Sequence, residues 1–265
     1  MAFAMTHLLV ADNIRNIFSR HIIDLPQFYL GSIAPDSIHN REGYVSDYKK
    51  ASHLCVGPEK WGYLTNNDEN AQNALNYLCE KSESGDFDFL VGYCTHILTD
   101  IYNNIALWTI FKQKYPGELK KGYESLYYQE NSRLDLEFAL THEKSAAFWR
   151  YLSESHGVDL YPITPADESS GNSLHPDIAV DESSGDELLP VIAASESSGI
   201  NGYPIITSDE IEKQKGFILN SWYKGRERQD ISSNILITYD ILMAFIDVAT
   251  EFTERHLRKV PKLAN

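Results

Sequence analysis

Residues 87–113 are the longest apolar stretch of the chain, and polar residues interrupt it in a pattern: His96, Thr99, Asp100, Asn103 and Asn104. These positions fall at i, i+3, i+4, i+7 and i+8, so on a helix they form one stripe. The other faces carry Phe87, Leu90, Val91, Ile97, Leu98, Ile101, Ile105 and Leu107. A solvated stripe would normally carry Lys or Glu, and this one carries neither. His96 and Asp100 put an imidazole and a carboxylate one turn apart on one face, which is metal-ligand spacing. A hydrogen-bonded His–Asp pair in a core has the same spacing, so the pair alone leaves both readings open.

Three further segments bear on the choice. Thr6-His7-Leu-Leu-Val-Ala11 sets His7 at the start of a helical pattern. Leu30-Gly-Ser-Ile-Ala-Pro-Asp36 sets Asp36 at a Pro-led turn, and Ala51-Ser-His53 sets a second His in a loop-like stretch. In order and spacing, together with Gly92-Tyr-Cys-Thr-His96-Ile-Leu-Thr-Asp100, they resemble the zinc-dependent phospholipase C family, which shares its helical fold and zinc cluster with the P1-type nucleases. The similarity spans residues 6 to about 140 and is nearest to the small bacterial branch of phospholipase C-like hydrolases.

The resemblance implies a ligand set. One zinc would take Asp36, His53, His96 and Asp100. A second would share Asp100 and take His7. The family's third site uses histidines that would fall at Ala106 and Asn131, with Asp135 as the remaining carboxylate. The resemblance therefore implies one to two zinc ions, with three as the upper limit and Asp135 as an extra ligand. His39, close after the Asp36 turn, is expected as a ligand or as a group that orients one, and Asp47 is a polar loop residue beside it. Thr99, Asn103 and Asn131 are expected to orient ligands or to line the cleft. Tyr93, Tyr102, Tyr127 and Tyr128 flank the polar helices and could line it too.

Zinc ions at such a site lower the pKa of a bound water and neutralise charge on a phosphodiester oxygen. A carboxylate nearby can take the water's proton, and Asp36, on a turn, is the expected catalytic residue. The expected function is hydrolysis of phosphoric esters, with a small phosphodiester or a phospholipid headgroup as substrate. The alternative is a zinc-binding structural or interaction protein with reduced or lost catalysis, and the missing third-site histidines favour it. No phosphate-binding glycine loop and no G-x-S-x-G nucleophile elbow occurs in the sequence.

These side chains need rigid elements, and the pattern supplies helices. Helical periodicity runs over 6–20, 69–82, 87–113, 118–140, 143–154, 209–224 and 230–258. Strand signals are weak. The expected fold is all-α, a single multi-helix bundle of the phospholipase C/P1 nuclease type spanning 1–265. Prolines at 162, 176, 190 and 204 recur every 14 residues; the first three open related units ending in Ser-Ser-Gly and the fourth opens a partial one. Residues 162–203 read as a tandem-repeat insertion within the bundle, either loop or short β-hairpins.

Charge and composition bound the rest. Of the net charge of −15, the insertion carries eight acidic residues and no Lys or Arg, which leaves −7 on the other 223 residues. Without a basic face, general nucleic-acid binding is not expected. Three cysteines make no disulfide framework, and the N-terminus carries no signal-peptide pattern, so a cytoplasmic location is expected. No apolar run is long enough to span a bilayer. His142, His156 and His256 sit beside charged residues and are expected at the surface.

Overall fold

The computed structural model describes residues 3–59, 62–83, 86–120, 122–163 and 204–264. Helices form in the order α1 (Ala4–Ile17), α2 (Leu25–Gly31), α3 (Ser46–Ser52), α4 (Asn67–Lys81) and α5 (Phe87–Asn103), followed by α6 (Thr109–Lys114), α7 (Leu126–Thr141), α8 (Ser145–Glu154), α9 (Ser208–Phe217) and α10 (Tyr239–Leu257). A 3-10 turn (Ala34–Asn40) joins α2 to α3, and π turns follow α5 (Asn104–Trp108) and α9 (Ile218–Trp222). The described residues are all-α, with no β-sheet. One isolated antiparallel bridge pairs Leu160 with Ile206. It brings together the two ends of the chain that flank the insertion; apart from 162 and 163, the insertion lies outside the described residues.

Local chemistry sets the boundaries. Asp24 and Asp86 accept the N–H groups of Gln27 and Phe89 and so cap α2 and α5. Thr207 and Glu210 form a capping box at the start of α9. The helix expected over 118–140 is regular only from Leu126, after Pro116, Gly117 and Gly122, which has φ +56°. The one expected over 230–258 begins at Tyr239. Before it, the buried Glu130 carboxylate accepts the backbone N–H groups of Ile235, Leu236 and Ile237, which fixes a non-helical run. Pro26 and Pro35 open short elements that a search for long periodicity passes over.

One hydrophobic core runs from Met5 to Leu263, with α5 at its centre, packed on α1, α2, α4 and α10. The α2–α5 contact is the closest. A Cβ added at Gly31 would lie 2.0 Å from the Phe89 carbonyl oxygen, and one at Gly92 would lie 2.0 Å from that of Phe28. Backbone therefore meets backbone at this crossing. Ser32, the residue after Gly31, is carried against α5 one turn beyond Gly92, where His96 stands.

Candidate metal centre

Four elements converge on one buried point. The first turn of α1 brings His7, the 3-10 turn brings Asp36, the C-terminal cap of α3 is His53, and α5 brings His96 and Asp100. The Nε2 atoms of His53 and His96 lie 3.3 Å apart. Asp36 Oδ1 is 3.5 Å from His53 Nε2. Asp100 directs its two oxygens differently. Oδ2 lies 3.4 Å from His53 Nε2 and 4.0 Å from His96 Nε2, while Oδ1 lies 3.5 Å from His7 Nε2. The His7 and His96 rings stack with centroids 3.7 Å apart.

Hydrogen bonds on the far sides of the rings fix which nitrogen faces the point. His96 Nδ1 lies 2.8 Å from the Ser32 carbonyl oxygen, and His53 Nδ1 lies 3.0 Å from that of Lys49. A carbonyl only accepts, so each Nδ1 carries the proton and each Nε2 turns a lone pair inward. Two inward lone pairs 3.3 Å apart repel unless a cation or a further proton lies between them. Zinc–nitrogen bonds of about 2.0–2.1 Å in tetrahedral geometry place two ligand nitrogens roughly 3.3 Å apart. The donor set and its spacing therefore fit a zinc-sized ion.

Two groups of three ligand atoms, each within 4.8 Å, are present: Asp36, His53 and His96, and His7, His96 and Asp100. They compete for His96 Nε2, which can serve only one ion. With His96 given to the first group, His7 and Asp100 Oδ1 remain for a second, and Asp100 stands as a bridge.

Electrostatics favours ligand protonation states. Burial lowers the His7 pKa to about 4, and it takes His96 well below its usual range. Both rings are neutral at neutral pH, as ligation requires. Burial would raise Asp36 and Asp100. The Lys49 ammonium overcomes it at Asp36 and the surrounding histidines do so at Asp100, so both are carboxylates well below the usual range. Neither ring nitrogen of His7 has a hydrogen bond among the described residues.

Lys49 was not legible as part of this cluster. Its side chain is buried, its ammonium lies 2.5 Å from Asp36 Oδ1, and its carbonyl orients His53. It sits one turn before His53 among charged residues, where a surface position is the ordinary expectation.

The other expected site residues lie as follows. Asp135 is not brought to the cluster. Its carboxylate accepts from Met5 N–H at 2.8 Å, Trp222 Nε1 at 3.0 Å and Tyr223 OH at 2.7 Å, and so ties α1 and the second π turn to α7. Thr99 Oγ1 donates to Thr95 O within α5, and Asn131 Nδ2 donates to Tyr127 O within α7. Asn103 Oδ1 accepts from Tyr127 OH, a link between α5 and α7. His39, partly exposed, has Nε2 at 4.0 Å from Asp36 Oδ1, and burial lowers its pKa to about 4. Asp47 is exposed in the first turn of α3. Of the four tyrosines, Tyr93 bonds the Ser52 carbonyl and Tyr102 packs on Phe245 and Phe252, which leaves Tyr128 at a cavity wall. His256 is buried rather than at the surface, with Nδ1 bonded to Phe252 O.

Two cavities reach the cluster. The larger, about 390 Å³, meets His7, Asp36, His39 and His96 and is walled by Phe3, Ile33, Tyr128, Phe217, Ile218 and Trp222. The smaller, about 100 Å³, meets His53 and Asp100. The 3-10 turn is fastened beneath the larger cavity's wall: Arg41 forms a two-pronged ion pair with Glu210 of α9, at 2.6 and 3.0 Å.

No protein-family model, curated protein or solved structure matches the chain.

Proposed function

We propose that the chain is a zinc-dependent hydrolase of phosphoric esters, with a helical body of the phospholipase C/P1 nuclease type. The observation that carries this reading is the inward-facing His53–His96 pair, Nε2 atoms 3.3 Å apart, with two carboxylates, set beside a cavity large enough for an ester. His53, His96, Asp36 and Asp100 would hold one ion, and His7 with Asp100 Oδ1 a second. Bound zinc would acidify water and neutralise charge on the phosphoryl oxygens.

The chain's own residues do the rest. The Ser32 and Lys49 carbonyls fix both rings, so the cluster needs little rearrangement before binding. Asp36 lines the larger cavity, where it would accept a hydrogen bond from the attacking water and orient it towards phosphorus. Lys49 holds Asp36 ionised and lowers its basicity, which suits a ligand and water-orienting acceptor better than a strong base. The aromatic wall of Phe3, Tyr128, Phe217 and Trp222 holds the uncharged part of the substrate and keeps water away.

Turnover of bis-p-nitrophenyl phosphate by zinc-loaded protein, lost in Asp100→Asn, tests the reading. One tightly bound zinc with no turnover of this or other phosphodiesters would favour the zinc-binding structural role instead.

A further inference from the structure

The smaller cavity is a second opening onto the cluster and shares Tyr128 with the aromatic wall of the larger. It meets His53 and Asp100, whereas the larger meets His7, Asp36 and His96. Leu64, Ile97, Ile101 and Trp108 line the smaller cavity, with Asn104 as a polar group among them. The π turn Asn104–Trp108 shapes this wall, and such turns recur at functional sites. Gly62, at φ +83°, lies against Trp108, whose Nε1 donates to the Gly62 carbonyl.

Asn104 gives the cavity a chemical preference. Its Nδ2 donates to Leu64 O at 3.0 Å and to Asn67 Oδ1 at 3.3 Å, which fixes the orientation of the amide. Its Oδ1 is buried and receives no donor among the described residues. A buried acceptor left without a donor is costly, so a ligand hydroxyl would be favoured here. The apolar lining suits a short carbon chain. At roughly 10–15 Å³ for each water on the same measure, the space holds several waters or a short alcohol.

We infer that this cavity is a subsite for a short, uncharged, hydroxyl-bearing alcohol, whose hydroxyl donates to Asn104 Oδ1 beside the phosphoryl position. It deepens the hydrolase reading and rests on it for the placement of phosphorus. Displacement at phosphorus needs the attacking water and the leaving oxygen apart, and two cavities that reach the cluster through different ligand residues would let each take its own opening. Water adds across the bond: its oxygen bonds phosphorus, the P–O bond to the alcohol breaks, and a proton passes to the departing oxygen.

Calorimetry with the zinc-loaded protein tests the subsite, with inorganic phosphate, propyl phosphate and glycerol 3-phosphate as probes. Glycerol 3-phosphate should bind roughly three- to tenfold tighter than propyl phosphate, the usual worth of one hydrogen bond. Asn104→Leu should erase that difference and leave inorganic phosphate unchanged. Leu64→Phe, which narrows the cavity and keeps the backbone carbonyl that holds Asn104, should weaken both esters. Equal binding of the two esters by the unmodified protein, or an equal loss for all three probes in Asn104→Leu, would overturn the inference. In metal-free protein labelled with 5-fluorotryptophan, 1,2-propanediol alone should shift the Trp108 resonance. That shift without phosphate binding would leave the subsite standing and sink the hydrolase reading. No shift would count against the subsite.

Discussion

His53 and His96 face each other through Nε2 atoms 3.3 Å apart, and each ring is turned that way by a backbone carbonyl at its Nδ1. A cation placed between the two nitrogens would be held by both rings at once. Zinc should therefore stabilise the fold as well as equip it. Removing zinc with a chelator should lower the melting temperature, and restoring zinc should recover it. His96→Ala should abolish the zinc-dependent part, whereas an unchanged zinc response in that variant would place the metal elsewhere.

The ring orientation depends on the glycine crossing. Gly92→Ala would drive a Cβ to 2.0 Å from the Phe28 carbonyl oxygen and push Ser32 away from His96. We expect a loss of about 3 kcal/mol in denaturant unfolding, at the upper end of overpacking costs. Zinc affinity should fall with it. A neutral substitution would show that α2 and α5 can separate without consequence.

Asp135 separates support from ligation. Asp135→Asn puts an amide where a carboxylate accepts from Met5, Trp222 and Tyr223, and one oxygen cannot serve all three, which should cost about 1–3 kcal/mol. Zinc content should not change. A loss of zinc in a variant that still folds would return Asp135 to the ligand set.

Arg41→Gln should loosen the Asp36 turn from a distance. It leaves the buried Glu210 carboxylate without its partner, at a cost of about 3 kcal/mol. Zinc binding should weaken although no ligand is changed. Adding Glu210→Gln should recover part of the stability, and strictly additive losses would deny the coupling.

The pH dependence follows from the imidazoles. In metal-free protein the unfolded chain takes up protons below pH 6.5, while His7 stays neutral to about pH 4. The stability from this group is complete above 6.5 and is lost as pH falls from 6.5 towards 4. Integrated over that window, it amounts to roughly 3 kcal/mol. Urea titrations at stepped pH should show the decline, and His7→Asn should reduce it by about that amount, leaving the part that His96 and His39 contribute.

How much of this was readable in the sequence depends on the kind of interaction. His96 and Asp100 were legible because helical spacing fixes their shared face. His7, Asp36 and His53 were legible only as separate segments whose order resembles a family pattern, since nothing local joins residues 7, 36, 53 and 96. Ser32 acts through its carbonyl, which every residue has, so no side-chain pattern could reveal it. Gly31 and Gly92 act through the absence of a side chain at one crossing. Asn104 was visible in the polar stripe, but its buried, unmet acceptor depends on a π turn that periodicity does not register. Asp135 fits a ligand by type and spacing, and only the three donors around it show where its oxygens are spent.

The central claim is that the His53–His96 pair, with Asp36 and Asp100, holds zinc. Elemental analysis of the full chain purified without chelator tests it most directly. The account predicts at least one tightly bound zinc per chain, lost in His96→Ala. A folded protein with no bound metal, and no uptake when zinc is supplied, would contradict it.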